Sequence, residues 1–336
     1  MKHEKPLLIC LTPIKNEAWI LDRFLQCVSL WADKIIISDQ GSEDNSREIA
    51  KRYNKVTLIE NPFDDYDEYN MRVVLCEKAR KIKGRKVLIA MDADETFTPG
   101  YDKTGDWKSL LEANPGTVIK SKFVNIRPDM KHYWFGHFNL SWGFADDDSP
   151  YIADKIHTSR IVEPDGAETL LINDFYIMHY QYIDWDRMNS KQRWYQCWER
   201  INYPGKSPIE IFRAYHHMYS VCKKDLKKIP DIWFKEYLKL GIDLKSIKKD
   251  NNYYWDRIVL DYFNKYGINL FSKEFLWEIN WFDKAVFYGY NNPEKYKYPR
   301  KALHKIIHFW LKKTQFYHKK LFVRAVDKLL KILFKW

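Results

Sequence analysis

The stretch "KVLIAMDADETF", Lys86 to Phe97, decides the fold. Its apolar run from Val87 to Met91 reads as a buried strand, and it opens directly onto Asp92 and Asp94, with Glu95 and Thr96 behind them. Two carboxylates this close repel each other unless positive charge lies between them, and a hard divalent cation with oxygen ligands is the usual remedy. The bland alternative is that Asp94 and Glu95 only cap the next turn.

Working back toward the N-terminus, strand-like and helix-like segments alternate. "LLICLT" (Leu7 to Thr12) predicts a strand, and "NEAWILDRFLQCVSLWA" (Asn16 to Ala32) a helix with Leu21, Phe24, Leu25 and Val28 at helical spacing. "KIIIS" (Lys34 to Ser38) is a second strand, ending at Asp39. "GSEDNSREIAKRY" then gives a turn and a helix whose start resembles a capping box, Asn45 with Glu48. "KVTLIE" (Lys55 to Glu60) supplies a third strand and "YNMRVVLCEKARKI" (Tyr69 to Ile82) a third helix. This alternation predicts an α/β fold, a parallel sheet with helices on both faces. Ligands of such sheets bind beyond the carboxyl ends of the strands, and Asp39, Asp92 and Asp94 all fall there.

Past residue 120 the pattern loosens. "VIKSKFVNIR" (Val118 to Arg127) predicts a strand, "HYWFGHFNLSWGF" (His132 to Phe144) an aromatic loop, and "IHTSRIV" (Ile156 to Val162) a further strand after the acidic run "ADDDSPYIAD". From Trp185 to about Tyr290 aromatic-rich helices are expected, broken at "NYPGKSP" and "KKIPD".

The 46% hydrophobic content fills a real core, which excludes a disordered chain. With 14 Trp and 23 Tyr, aromatics exceed what a core requires and suit a surface that binds rings or sugars. The five cysteines form no Cys-x-x-Cys pair and sit in apolar segments, as reduced thiols of a cytoplasmic protein do. No secretory leader and no spanning segment is expected. The net charge of +11 is concentrated: residues 300–336 hold eleven basic side chains against the single acid Asp327. There Leu303, Ile306, Ile307 and Trp310 form one helical stripe and Phe322, Val326, Leu329, Leu330 and Leu333 another, with Lys320, Arg324, Lys328, Lys331 and Lys335 interleaved. A basic face opposite an apolar one describes a helix lying in an anionic membrane interface; an ordinary basic helix packed on the domain is the alternative. Nucleic acid is not an expected partner, because the rest of the chain offers no basic patch.

Taken in order, "LTPIKNE", "SDQGSEDNSREIAKRY" and "VLIAMDADE" resemble the family-2 glycosyltransferases of GT-A fold, particularly the bacterial lipopolysaccharide-core type. The resemblance covers about residues 5–100 well and extends more loosely to about residue 200; it implies a Rossmann-like, mostly parallel sheet, with a nucleotide-sugar-binding half over 1–120 and an acceptor and catalytic half over 121–200. The periodicity and charge of the residues add a helical, aromatic-rich C-terminal region over 201–299 and the basic amphipathic tail over 300–336. Pro13, Lys15, Asn16 and Glu17 would line the nucleotide pocket and Asp39 would meet the base. Asp92 and Asp94 would reach ribose and metal, Mn2+ or Mg2+, while Asn70 and Arg72 would face the diphosphate. His179, in "FYIMHYQYIDWDRMNSKQRWY", would complete the metal site or touch the diphosphate, a structural histidine being the alternative. A UDP-sugar is the favoured donor, an envelope glycan or glycolipid the acceptor, and the inner face of the cytoplasmic membrane the expected location, with an oligomer possible.

An inverting transfer also needs a carboxylate to take the acceptor's proton. Asp146, Asp147, Asp148 and Asp154 are the candidates; the resemblance implies a base in a Pro-Asp segment shortly before an Arg-containing strand, and because Pro150 and Asp154 precede Arg160, though at a different spacing, Asp154 and then Asp148 are preferred. Trp134, Phe135, Phe138 and Trp142 either stack on an acceptor sugar or form a buried strand and its turn. Two other functions compete. "AMDADET" also resembles the first motif of haloacid-dehalogenase-type phosphatases, with Asp92 as nucleophile and Asp94 as acid/base; and a GT-A domain without chemistry would serve as a carbohydrate-binding scaffold.

Overall fold

The computed structural model describes residues 5–60, 68–151, 159–250, 252–297 and 301–336. The chain divides into two units, Met1–Ile183 with Lys227–Lys249, and Asp184–Leu226 with Asp250–Trp336. The first unit contains β1 (Leu7–Ile14), α1 (Leu21–Val28), β2 (Lys34–Asp39), α2 (Ser46–Lys51), β3 (Val56–Glu60), α3 (Glu68–Arg80), β4 (Lys86–Ala90), β5 (Glu95–Phe97), α4 (Gly105–Glu112), β6 (Val118–Ile126), β7 (His132–Ala145) and β8 (Thr169–His179). The second contributes α5 (Trp185–Asn202) and α6 (Pro208–Tyr215). The chain then returns to the first unit for β9 (Lys227–Lys228) and α7 (Asp231–Lys239), and ends in the second with α8 (Tyr254–Tyr266), α9 (Trp281–Phe287), α10 (Ala302–Thr314) and α11 (Leu321–Phe334).

The strands form one sheet in the order β3-β2-β1-β4-β7-β6-β8-β5, with β9 on β7. The half from β3 to β4 is parallel, as the alternation predicts. Its strands read as continuous apolar runs because both faces are covered. Successive residues serve opposite cores: Cys10, Ile35, Ile37, Val87 and Ile89 pack with Phe24 and Leu25 of α1, whereas Ile9, Leu11, Ile36, Leu88 and Ala90 pack with Leu75, Cys76 and Ala79 of α3. Fully burying each such Leu or Ile contributes roughly 1.5–3 kcal/mol before entropy is charged against it. The parallel register sets Ile14 beside Asp39 and Leu11 beside Ala90. The carboxyl ends of β1, β2 and β4 therefore share one edge.

Beyond β4 the sheet is mixed. β7 runs antiparallel to both β4 and β6, β8 is parallel to β6, and β5 closes the far edge antiparallel to β8. The aromatic segment His132 to Phe144, expected as a loop, is thus most of the long strand β7. Trp142 on it is fully buried, its indole N–H donates to Ser121 Oγ at 3.0 Å and its ring packs on Phe97 at 5.3 Å. Trp134 is buried on Tyr182, so only Phe138, 77% exposed, stands open among the four aromatics considered for an acceptor.

Other local expectations also change. The first helix starts at Leu21 rather than Asn16, because Asn16 sits at φ 55° and the amides of Asn16, Glu17 and Ala18 donate to Ser42 Oγ, Ser46 Oγ and Asp44 Oδ2. A residue in the left-handed region cannot continue a right-handed helix. Asn45 makes no side-chain cap; Asp44 Oδ1 takes the Ser46 amide instead. Of "IHTSRIV", residues 156–158 lie outside the described residues, and Ser159 to Val162 form a bend rather than a strand.

The second unit is helical, as its periodicity predicts. α5 ends at Asn202 ahead of the Pro-Gly break, and α6 restarts with Ser207 as N-cap, Pro208 in the first turn and Glu210 closing a capping box. Two buried ion pairs organise it: Arg193 grips Asp256 at 2.8 and 3.1 Å, and Arg200 meets Glu274 at 2.7 Å. Burial pushes the Glu274 carboxyl up to about 7, with Arg200 opposing it. Removing the cap by Ser207→Ala is expected to cost about 1 kcal/mol, read as a lower urea midpoint by far-UV circular dichroism with the slope unchanged.

Candidate active site

The shared carboxyl edge of β1, β2 and β4 is where the predicted side chains collect. Pro13 and Ile14 end β1, and the chain from there to Glu17 crosses toward the loop that follows β2, the two loops being laced by side chains. Asn16 Oδ1 accepts from the Glu43 amide at 2.7 Å, and Asp39 accepts from the Ser42 amide at 3.2 Å while pairing with Arg47. Asp39 is buried at the end of β2. The Asp39 carboxylate is the main reason the Arg47 guanidinium is held above its ordinary pKa. Glu17 turns back on its own loop and accepts from the Trp19 indole at 2.6 Å.

Beyond β4, the chain from Asp92 to Glu95 makes a tight turn: the Glu95 amide donates to Asp92 O at 3.0 Å, and Glu95 Oε2 accepts the Asp92 amide at 3.0 Å. Glu95 is therefore a capping residue, and Asp94 is not. The Asp92 carboxylate lies between two guanidiniums. Arg72 Nη2, from the start of α3, is 3.1 Å from Oδ1 and Arg160 Nη2 is 3.1 Å from Oδ2. Arg160 also reaches Glu95 Oε1 at 2.5 Å and covers the Phe123 ring at 5.0 Å. Burial pushes Glu95 up to about 7, with Asp92 and Asp94 adding to the rise and Arg160 opposing it. For Arg160 itself burial works against the charge, but Asp92 and Glu95 prevail and its pKa is raised.

Asp94 points to a different neighbour. Its Oδ2 is 3.7 Å from His179 Nε2, at the end of β8, and the backbone of Tyr180 donates to Asp94 O at 2.8 Å. The register Glu95 opposite His179 on β5 and β8 fixes this meeting. His179 Nδ1 lies 3.0 Å from the Asn125 amide oxygen, so a proton on Nδ1 leaves the Nε2 lone pair facing Asp94. Ligand atoms of Asp94, Glu95 and His179 all lie within 4.8 Å of one another. Asp92, expected among the metal ligands, is not one of the three; its arginines hold it. Among the described residues the buried Arg72 Nη1 has no hydrogen-bond partner, nor has the Ser38 hydroxyl beside Asp39 on β2.

The structure thus brings Asp92, Asp94, Arg72 and His179 together, with Pro13 to Glu17 and Asp39 on the neighbouring strand ends and Asn70 on the same first turns of α3 as Arg72. It does not bring Asp148. β7 returns antiparallel to β4 with Ala145 beside Val87, and the Asp146 amide donates to Lys86 O. Residues 146–148 therefore sit at the opposite end of β4, roughly 20 Å of extended chain away from Asp92. Asp146 is spent on Arg80 at 2.9 Å, and the Asp148 side chain is 82% exposed. Asp154 lies outside the described residues. Arg160 is the member of the site that sequence reasoning named without a role; its only signal was its position after the acidic run.

Residues 10–157 match the sequence model of glycosyl transferase family 2. No curated protein sequence matches the chain. Solved structures similar to it include glucosyl-3-phosphoglycerate synthase from Mycobacterium tuberculosis in complex with phosphoglyceric acid, at 15% identity over 35% of this chain and 44% of that one, TM-score 0.28. The same enzyme in complex with Mn2+, uridine diphosphate and phosphoglyceric acid matches at 16% identity over 35% and 43%, TM-score 0.27. S. aureus TarS matches at 15% identity over 35% and 22%, TM-score 0.29. The chain spans less than half the length of each of these. The matched segment runs from within β1 to past β7 and takes in the edge on which Asp39, Asp92 and Asp94 stand, so it is in this part, residues 10–157, that the chain is similar to glycosyl transferase family 2.

Proposed function

We propose that the protein is a divalent-metal-dependent inverting glycosyltransferase that moves a sugar from a nucleotide-sugar donor, a UDP-sugar by preference, to a hydroxyl of an envelope glycan or glycolipid. The observation that carries this reading is the Asp94–His179 pair, held beside an Arg72 whose buried Nη1 has no partner. Unpartnered buried donors are rare, and a guanidinium suits a phosphate oxygen.

The donor set fits a metal. Two ligands about 2.1 Å from an octahedral ion stand roughly 3 Å apart, so the 3.7 Å between Asp94 and His179 requires only a small rotation. A mixed carboxylate and imidazole set suits Mn2+ better than Mg2+. Glu95 is a poor third ligand, because Arg160 and the Asp92 amide engage its two oxygens. When bound, the ion supplies positive charge against the departing diphosphate. Arg72 and Arg160 add fixed cations at the same place, preorganised by Asp92 and Glu95, so no reorganisation is needed as charge develops. Asp39 at the end of β2 is the base contact in this reading, and Asp154, shortly before Arg160 in sequence, takes the acceptor proton.

The phosphatase alternative asks Asp92 to act as a nucleophile, which its two guanidinium partners oppose. A thermal-shift screen of nucleoside diphosphates with and without Mn2+ tests the proposal. Ligand at a hundredfold its dissociation constant stabilises by about 2.7 kcal/mol, so uridine diphosphate with Mn2+ is expected to raise the melting temperature by several degrees, and without Mn2+ far less. No shift with any nucleotide would sink the donor assignment. Binding without donor hydrolysis or transfer would point to the scaffold.

A further inference from the structure

Residues 300–336, which the transfer chemistry leaves unused, fold as α10 and α11 of the second unit. α11 is fixed on one side only. Its Asp327 takes a bidentate grip from Arg213 of α6 at 3.0 Å on each oxygen and the Trp310 indole of α10 at 2.9 Å, and Val323 is buried next to it. The only acid of the segment is thereby consumed inside the fold.

What remains outside is apolar and cationic. Phe322, Leu329, Ile332 and Leu333 are between 54% and 68% exposed. At 3.6 residues per turn they fall within one arc of roughly 100°. Lys328 and Arg324 are exposed on one flank of the helix, roughly 40° and 80° outside that arc, and Lys335 is exposed just past the helix end. α10 continues the surface with exposed Ile306 and Phe309, and the Phe322 ring meets Trp310 at 5.8 Å, so the two helices present contiguous apolar surface. Large exposed apolar side chains gathered on one face signal an interaction surface. Among the described residues no helix is long and apolar enough to cross a membrane.

We infer that this face of α10 and α11 docks on an anionic lipid bilayer, with α11 lying in the headgroup plane, its Phe322 to Leu333 arc in the acyl boundary and its flanking Arg and Lys against lipid phosphates. The charge selects this occupant. A segment with eleven basic residues and one internally paired acid repels a second copy of itself, whereas an anionic surface attracts each cation. The apolar arc distinguishes a bilayer from an acidic protein, which would need the charges alone. The inference stands apart from the donor assignment, since it uses none of the residues of the first unit.

Co-sedimentation of the full chain with vesicles of equimolar phosphatidylglycerol and phosphatidylcholine tests it, with pure phosphatidylcholine vesicles as the comparison. The protein is expected to bind the anionic vesicles and to partition to neutral ones on the order of 100-fold less. Leu329→Asp/Leu333→Asp is expected to lower partitioning on the order of 100-fold, and Arg324→Gln/Lys328→Gln on the order of 30-fold, both with unchanged melting temperature because all four side chains are exposed. Equal binding of the wild type to neutral and anionic vesicles overturns the inference without any variant. So do undiminished binding by the Leu329→Asp/Leu333→Asp protein, which would leave a purely electrostatic contact, and a stable dimer by light scattering that the same substitutions dissociate.

Discussion

Asp94→Ala is expected to lower kcat/KM for sugar transfer by about 1,000-fold, the range in which removal of a major electrostatic element of a transition state falls. Asp94 is the carboxylate that faces His179, and nothing else in the turn can replace it: Asp92 is committed to Arg72 and Arg160, and Glu95 to Arg160 and the Asp92 amide. Folding should survive, because the substitution removes one of three crowded carboxylates and so relieves the repulsion on buried Glu95. The decisive comparison is uridine diphosphate release against Mn2+ concentration for wild type and variant, alongside the melting temperature of each. A variant that keeps the Mn2+-dependent rate with an unchanged fold would remove Asp94 from the proposed metal site.

Arg160→Met should damage both stability and rate. It strands the Glu95 carboxyl in the interior and takes one of two cations from Asp92. Breaking a buried ion pair by removing one partner costs about 3–5 kcal/mol, while removing both partners costs far less. Arg160→Met/Glu95→Gln is therefore expected to recover most of the lost stability in urea denaturation, yet to keep the low kcat, because the cation proposed to flank the diphosphate is still missing. Recovery of rate together with stability would mean that Arg160 serves only to hold the turn.

Much of the arrangement was legible because it is local in sequence. Apolar runs ending in Asp39 and in Asp92 to Asp94, separated by helical spacing, dictate parallel strands with acids on one edge. The proximity of Arg72 and His179 to those acids was implied only by the family resemblance of their segments, with a solvated helix face and a structural histidine as the alternatives. What could not be read depends on strand direction and register. β7 looks like a loop because its aromatics break simple alternation, and two irregularities in its pairing with β6 shift the inward-facing positions. Its antiparallel course carries Asp146 to Asp148 to the start of β4, so an acid run that looks catalytic in sequence is far from the site. Arg160 had the opposite fate: it sits in a bend with no periodicity, yet its guanidinium reaches the centre of the cluster. The helix that should begin at Asn16 is shortened by tertiary competition, since Ser42, Asp44 and Ser46 offer the backbone better partners than another helical turn.

The placement of β5 has a consequence for the time at which the protein becomes competent. This three-residue strand leaves the end of β4 and pairs only with β8, across the width occupied by β7 and β6. Glu95 and Arg160 are 65 residues apart, and β8 follows later still. At 5–20 residues per second of synthesis, the Asp92 turn would emerge from the ribosome on the order of 3–13 s before Arg160, and longer before His179. During that interval Arg72 already faces Asp92, but Glu95 lacks Arg160 and Asp94 lacks His179. Nascent chains that stop short of β8 should therefore bind neither nucleotide nor Mn2+, although their parallel strands are complete.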